Sequence, residues 1–145
     1  MPAVAGRVRT GKYLAFALSG EMHGIDSMRV ISIIGDQPCI PLPQAPRHVR
    51  GLTMIRGKVV PVIDIRRRLG LAERETTDET CIIIVSVNYG QAGIRVDGVH
   101  EVLDIFEEQF DHLIDEQNGD EMIGVAKLKK GLVTVLDIDS ITRGS

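Results

Sequence analysis

The residues of this chain that could do chemistry are four histidines, two cysteines and scattered carboxylates and arginines. Their spacing does not gather them into a reaction centre. His23, His48, His100 and His112 have no Cys, Asp or Glu partner at a metal-ligand spacing. His100 and Glu101 are neighbours on a strand-like segment, so they point to opposite faces and cannot chelate together. Cys39 and Cys81 follow no redox or metal pattern and sit beside apolar residues, which reads as buried free thiols in a reducing cytoplasm. No Gly-x-Ser-x-Gly elbow and no phosphate-cradling glycine loop occurs. Glu107 and Glu108 lie in a solvated acidic run, where a general acid would not be tuned. Asp97, in Val96-Asp97-Gly98-Val99, reads as a capping residue in a turn. Asp64 and Asp137 each follow a strand and open a helical turn, where a carboxylate accepts from free N–H groups. Arg66-Arg67-Arg68 has the charge to touch phosphate. With no interleaved aromatics and a net acidic chain, it reads instead as a solvated helical face. No metal or other cofactor is expected, and an enzyme is the weaker class.

The element that must organise these side chains is Gly51 to Leu71, GLTMIRGKVVPVIDIRRRLGL. An apolar lead-in (Leu52, Met54, Ile55) meets a turn signal at Arg56-Gly57-Lys58, then a β-branched run, then Asp64 and the basic segment. Strand, turn, strand and one or two helical turns is the reading. Upstream, Tyr13 to Leu18 predicts a buried strand, Ser19-Gly20-Glu21 a turn, Met22 to Ile25 the return, and Val30 to Ile34 a third strand. Pro38, Pro41, Pro43 and Pro46 exclude a helix or central strand and predict a loop with one extended piece at Cys39 to Leu42. Downstream, Ala72 to Thr80 is polar and charged and reads as a linker. Strands follow at Cys81 to Val87, Ala92 to Val96, Val99 to Ile105, Met122 to Leu128 and Leu132 to Ile138. Between the last three of these, Glu107 to Glu116 predicts a short amphipathic turn or loop and Asn118-Gly119-Asp120 a turn.

Composition agrees with a β-rich domain. The chain has 145 residues, 43% of them hydrophobic, with 3% aromatic and no Trp, so its core must be aliphatic. A formal net charge of -3 gives no support to a nucleic-acid binder. There is no signal-peptide pattern, and no apolar run approaches the ~20 residues a membrane span needs. A cytoplasmic protein without a membrane anchor is the expectation.

The strongest structural signal is an internal repeat. A shift of 69 positions puts Tyr13 on Ile82, Gly24-Ile25 on Gly93-Ile94 and Val30 on Val99. A shift of 73 lays GLTMIRGKVVPVIDI on GVAKLKKGLVTVLDI without a gap, with Asp64-Ile65 on Asp137-Ile138. The sequence therefore predicts a duplicated unit of about five strands, closing as two small β-barrels packed side by side. The expected division is a disordered tail over 1–11, a first barrel over 12–79 and a second over 80–145.

On these residues the chain resembles the CheW-type chemotaxis coupling proteins. The resemblance rests on Tyr13-Leu14-Ala15-Phe16, His23-Gly24-Ile25-Asp26, Val30 and the proline-rich loop. It rests above all on Val49-Arg50-Gly51, Ile55-Arg56-Gly57 and Val60-Pro61-Val62-Ile63-Asp64-Ile65-Arg66. The second half matches through Gly93-Ile94-Arg95-Val96-Asp97-Gly98-Val99 and Gly124-Val125-Ala126-Lys127-Leu128, so nearly the whole chain is covered. The resemblance implies an all-β fold with short helices, two tandem five-stranded SH3-like barrels. It implies a non-catalytic adaptor that couples chemoreceptor cytoplasmic tips to the chemotaxis histidine kinase. Such an adaptor is cytoplasmic and is recruited to membrane-associated receptor arrays. The same fold occurs as the kinase's own regulatory domain; no kinase core accompanies it here, which implies a free-standing adaptor.

Carried over by position, the resemblance implies receptor binding through Val30, Ser32, Gly51 and Arg56. It implies binding to the kinase's regulatory domain through Thr80, Cys81 and Ile82. Arg56 has a second reading, as an arginine that bonds nearby carbonyls and holds its turn. Two departures stand out: Ser32 where the family commonly has an acidic residue, and Met54-Ile55 where it commonly has Asn-Leu. They point to a specialised receptor or a second chemosensory cluster. The competing function is a double barrel that binds a small ligand or nucleic acid, which would need exposed aromatics for stacking.

Overall fold

The computed structural model describes residues 8–111 and 121–143. In chain order its elements are β1 (Gly11–Leu18), β2 (Glu21–Asp26), β3 (Val30–Gly35), β4 (Val49–Ile55), β5 (Lys58–Asp64) and a single helical turn, α1 (Ile65–Arg68). The second half repeats the plan with β6 (Cys81–Val87), β7 (Gly90–Val96), β8 (Gly98–Ile105), β9 (Met122–Leu128), β10 (Gly131–Leu136) and α2 (Ile138–Ile141). Each strand is a β-branched or alternating run stopped by a glycine turn. Ser19-Gly20 and Arg56-Gly57 are two-residue turns with positive φ throughout (53° and 78°, 51° and 79°), the geometry that matches strand twist in a tight hairpin. Asp64 and Asp137 cap the two helical turns, accepting from the N–H groups of Arg66 and Ser140 at 3.1 and 3.2 Å.

The strands form two five-stranded sheets, the two SH3-like barrels, in the orders β8-β1-β2-β10-β9 and β3-β6-β7-β5-β4. The barrels therefore do not divide at residues 79 and 80. Each takes its first hairpin from one repeat and its other three strands from the other. Parallel contacts make the exchange: Thr134 and Val135 of β10 lie beside His23 and Gly24, and Val62, Ile63 and Asp64 of β5 beside Gly93, Ile94 and Arg95. Strand patterns are the same whichever copy supplies the partner, so the repeat is visible in the sequence and the exchange is not.

The principal core lies between the sheets and is built from matched positions of the two repeats. Leu14 and Ile83, Phe16 and Val85, Leu18 and Val87, Ile25 and Ile94, and Ile65 and Ile138 are all buried in it. A smaller cluster under the first sheet holds Tyr13, Ile105, Phe110, Val133 and Val135, and one under the second holds Val62, Ile82 and Ile84. Val8 belongs to the first of these, and the Tyr13 hydroxyl donates to the Arg9 carbonyl at 2.6 Å. Residues 8–11 are thus packed rather than a disordered tail, because Val8 finds apolar cover; residues 1–7 of that segment lie outside the described residues. The amphipathic segment begins as expected with a 3-10 turn at Glu107–Gln109 and a buried Phe110. Its continuation and the turn at 118–120 lie outside the described residues.

Both parallel seams run past a glycine, and these glycines are twins in the repeat. A Cβ on Gly93 would stand 2.7 Å from Ile82 Cγ2 and 3.4 Å from Val62 Cγ2. Ile82 is β-branched and fully buried, so it has no alternative rotamer to offer. Gly93→Ala is expected to lower stability by about 1–3 kcal/mol in urea denaturation. Gly35→Ala, which would meet nothing within 4 Å, should change little.

His23 sits on the other seam, 8% exposed and stacked on Phe16 with ring centroids 5.8 Å apart. Burial holds its pKa below the usual histidine value. The unfolded chain therefore takes up a proton near pH 6.5 that the folded protein refuses. Stability should be fully present above that pH and fall as the pH drops below it. The fall should be smaller in His23→Gln, read from midpoints of urea curves at pH 7.5 and 5.5.

Candidate functional site

β3 is an edge strand of the second sheet, paired on one side to β6. Its residues alternate: Val30, Ser32 and Ile34 are half-buried, while Ile31 and Ile33 are 48% and 45% exposed. Val30 packs against the central core, as does its twin Val99 at the start of β8. The ladder shifts between Val30 and Ser32, a bulge that separates the two residues' pairing to β6. Two isoleucines facing water on an edge strand form an apolar row, the kind of surface that marks a contact site. The sequence could not show this row, since Val30-Ile31-Ser32-Ile33-Ile34 is apolar on both faces and only the topology tells which side is covered.

Gly51 lies on β4, buried, at φ +146°, where a Cβ would stand 2.3 Å from the Ile40 carbonyl oxygen. The Leu52 N–H donates to that carbonyl and the Ile40 N–H to the Leu52 carbonyl, at 2.9 and 2.7 Å. Only glycine lets the proline-rich loop come this close. Gly51 therefore places the loop and does not itself present a surface. Arg56 is the opposite case. Its side chain is exposed, and it makes no hydrogen bond or ion pair with any described residue. Of its two readings, bonding local carbonyls is not what the structure shows. A non-glycine residue held at φ 51° costs on the order of 1 kcal/mol.

Thr80, Cys81 and Ile82 open β6. Thr80 is 8% exposed and its Oγ1 accepts the Thr77 N–H at 2.9 Å. Cys81 is a half-buried free thiol opposite Gly35, and Ile82 is completely buried. β6 lies between β3 and β7, so its backbone is paired on both sides. These residues shape a surface through packing; the Ile82 side chain cannot reach a partner.

The charged residues do more structural work than their spacing suggested. Arg66 is not on a solvated face but 5% exposed. Its guanidinium donates to both Asp97 carboxylate oxygens at 2.9 Å, to Ser19 Oγ at 2.8 Å and to the Ala72 carbonyl. It thereby ties α1 to the β1–β2 turn, the β7–β8 turn and the start of the 72–80 segment, which is fastened and is not a free linker. Burial raises the Asp97 pKa, but bonds from Arg66 and the Ser19 N–H outweigh it and hold the carboxyl below the ordinary range. In the other half, Asp139 holds the position of Arg66 and pairs with Arg29 at 2.6 Å. Arg67 pairs with Glu73 at 2.9 Å, and Arg68 pairs with Glu121 at 2.8 Å and donates to the Ser140 carbonyl. Charge was legible in Arg66-Arg67-Arg68, but the acids that pair Arg66 and Arg68, Asp97 and Glu121, lie far along the chain. Arg95, also buried, bonds Asp36 at 3.0 Å and stands 3.7 Å from Asp64. Among the described residues no group of three or more His, Cys, Asp or Glu could hold a metal ion.

Comparison with known proteins gives one family. The CheW-like domain model matches residues 12–144. The chain is 29% identical to the chemotaxis protein CheW of Bacillus subtilis over 95% of this chain and 91% of that protein. It is 36% identical to the chemotaxis protein CheW of Klebsiella aerogenes over 73% of this chain and 64% of that one. The crystal structure of the scaffolding protein TtCheW from Thermoanaerobacter tengcongensis superposes with a TM-score of 0.80 at 29% identity, covering 91% of this chain and 92% of that one.

Replacing Asp97 with Asn strands the Arg66 guanidinium with one charge uncompensated. Since Asp97 is 19% exposed, the loss should be about 2–4 kcal/mol, below that of a fully buried pair. The pairing depresses the folded-state pKa, so its contribution is present above the ordinary aspartate pKa and is lost as pH falls through the lower folded value. The wild-type protein should lose this increment in acid and Asp97→Asn should not, measured by thermal melts across pH 2 to 7.

Proposed function

This chain belongs to the CheW-like domain family, and from that premise we propose how it acts as a chemotaxis coupling adaptor. One surface binds the cytoplasmic tips of chemoreceptors and another binds the regulatory domain of the chemotaxis histidine kinase. Receptor state is passed to the kinase by geometry, with no bond made or broken on this protein. The adaptor works in the cytoplasm and is recruited to membrane-associated arrays. No helix among the described residues is long and apolar enough to cross a membrane, which fits recruitment through protein contacts.

The observation that carries this reading is the exposed row on β3. Ile31 and Ile33 offer apolar area on an edge strand, with Val30 and Ser32 alternating beneath them. Such a row supplies the buried anchors of a protein interface once a partner covers it. Arg56 adds, at the β4–β5 turn of the same sheet, an exposed guanidinium with no partner among the described residues. On the kinase side, Thr80, Cys81 and Ile82 set the position of β6 beside β3, and Cys81 comes nearest the surface. Ser32 on β3 and Met54, 64% exposed on β4, lie on the two edge strands of this sheet and support a specialised receptor or second cluster. A nucleic-acid or small-ligand reading finds less support: Tyr13, Phe16 and Phe110 are buried, Phe106 and Tyr89 are exposed singly on different parts of the chain, and the Tyr89 hydroxyl is bonded to the Thr142 carbonyl at 3.0 Å.

Reconstitution with kinase and receptor tips should raise kinase autophosphorylation, and no rise with any receptor would sink the adaptor reading. Arg56→Gly separates contact from structure. Relief of the left-handed backbone should raise the melting temperature by about 2–5 °C. The same variant should bind receptor tips roughly tenfold more weakly by loss of a charged contact. Unchanged binding would remove Arg56 from the interface.

A further inference from the structure

The turn from the proline-rich loop into β4 encloses an open cavity of about 430 Å³. Arg47, Arg50 and Arg67 all line it, and Pro41, Leu42 and Pro46 form apolar wall beside them. These guanidiniums are incompletely used. Arg47 has no side-chain partner among the described residues. Arg50 stands 3.5 Å from Asp64, a carboxylate that also faces Arg95, and its side chain also bonds the Cys39 thiol. Arg67 is held by Glu73, whose Oε1 accepts from Nε at 2.9 Å.

Glu73 shows what the cavity attracts. It is an exposed residue, yet its carboxyl is held below the ordinary range, first by the Arg67 bond and then by the charges of Arg67, Arg47 and Arg50. Arg67 is the arginine that bonds this surface carboxylate, and the charges of Arg47 and Arg50 favour its ionised form, in a chain whose formal net charge is -3. A carboxylate is the group this fork geometry fits, and the proline wall is suited to an extended backbone or an aliphatic stem.

We propose that the Arg47–Arg50–Arg67 cavity docks an acidic segment of a protein partner, a carboxylate of that segment replacing Glu73 on Arg67. Glu73, which pairs with Arg67 at 2.9 Å from outside the cavity lining, then acts as a built-in competitor for that guanidinium until a partner supplies more than one carboxylate. This surface is separate from the β3 row, and its test needs neither receptor nor kinase, so its failure leaves the adaptor reading untouched.

The test is an NMR titration of the full chain with a blocked tetraglutamate peptide, with a tetraglutamine peptide and inorganic phosphate as parallel arms. Tetraglutamate should shift the signals of Arg47, Arg50 and Arg67, and tetraglutamine should not. Arg47→Ala should weaken binding about tenfold, the loss of one charge-assisted contact. Glu73→Gln should tighten binding several-fold, whereas Glu79→Gln, an equal change in net charge on the same segment, should not. Three results would each overturn the proposal: shifts spread away from the three arginines, equal effects of Glu73→Gln and Glu79→Gln, or phosphate binding these residues as tightly as the peptide.

Discussion

Two short parallel contacts decide the architecture of this protein. β2 meets β10 over two residue pairs and β7 meets β5 over three, and in each case the strands come from different halves of the chain. Everything central follows from these seams. They place matched residues of the two repeats face to face between the sheets, so that Phe16 and Val85, or Ile25 and Ile94, share one core. They also run past Gly24 and Gly93, where a Cβ would press on Val133 of β10 at 3.3 Å and on Ile82 of β6 at 2.7 Å respectively. A core of this kind cannot be assembled by either half alone, and the sheets should gain or lose structure together.

The charges follow the same exchange with reversed sign. Arg66 after β5 finds Asp97, and Asp139 after β10 finds Arg29. An identical pair in both places would set like charges at matched positions. Opposite choices in the two halves give each helical turn its own partner. Arg66 and Asp139 occupy matched positions of the two repeats and differ in charge. Their difference is explained within the molecule. Arg56-Gly57 against Lys129-Lys130, at the tips of matched hairpins, differs too, and there Lys130 pairs with Glu101 at 3.1 Å.

Much of this was legible in the residues. Strands announced themselves by β-branched runs closed with glycine turns, and Asp64 and Asp137 by their position before a helical turn. The repeat was visible because the same positions had to be apolar twice. What could not be read was pairing. A strand's pattern does not name its neighbour, so the exchange of hairpins was hidden. So was the fate of side chains that depend on it: Ile82 at the bottom of a core, Gly51 under the proline-rich loop, Arg66 inside an ion pair. Ile31 and Ile33 were hidden for the converse reason, since an apolar residue looks the same in sequence whether a strand covers it or not.

The exchanged hairpins have a further meaning. One five-stranded unit alone would lack the partner hairpin that fills either sheet, whereas two separate copies could complete both by trading hairpins about a twofold axis. This chain has the strand exchange of such a dimer within one polypeptide, its two units joined through the segment after α1. Fusion replaces association between molecules with an internal effective concentration on the order of millimolar. It also frees the two former subunits from having to be identical. Exposed Val59 and Leu132 still match, while Met54 has become Lys127 on the other unit. A symmetric dimer must offer every partner the same face twice; a fused one can hold two different partners at once.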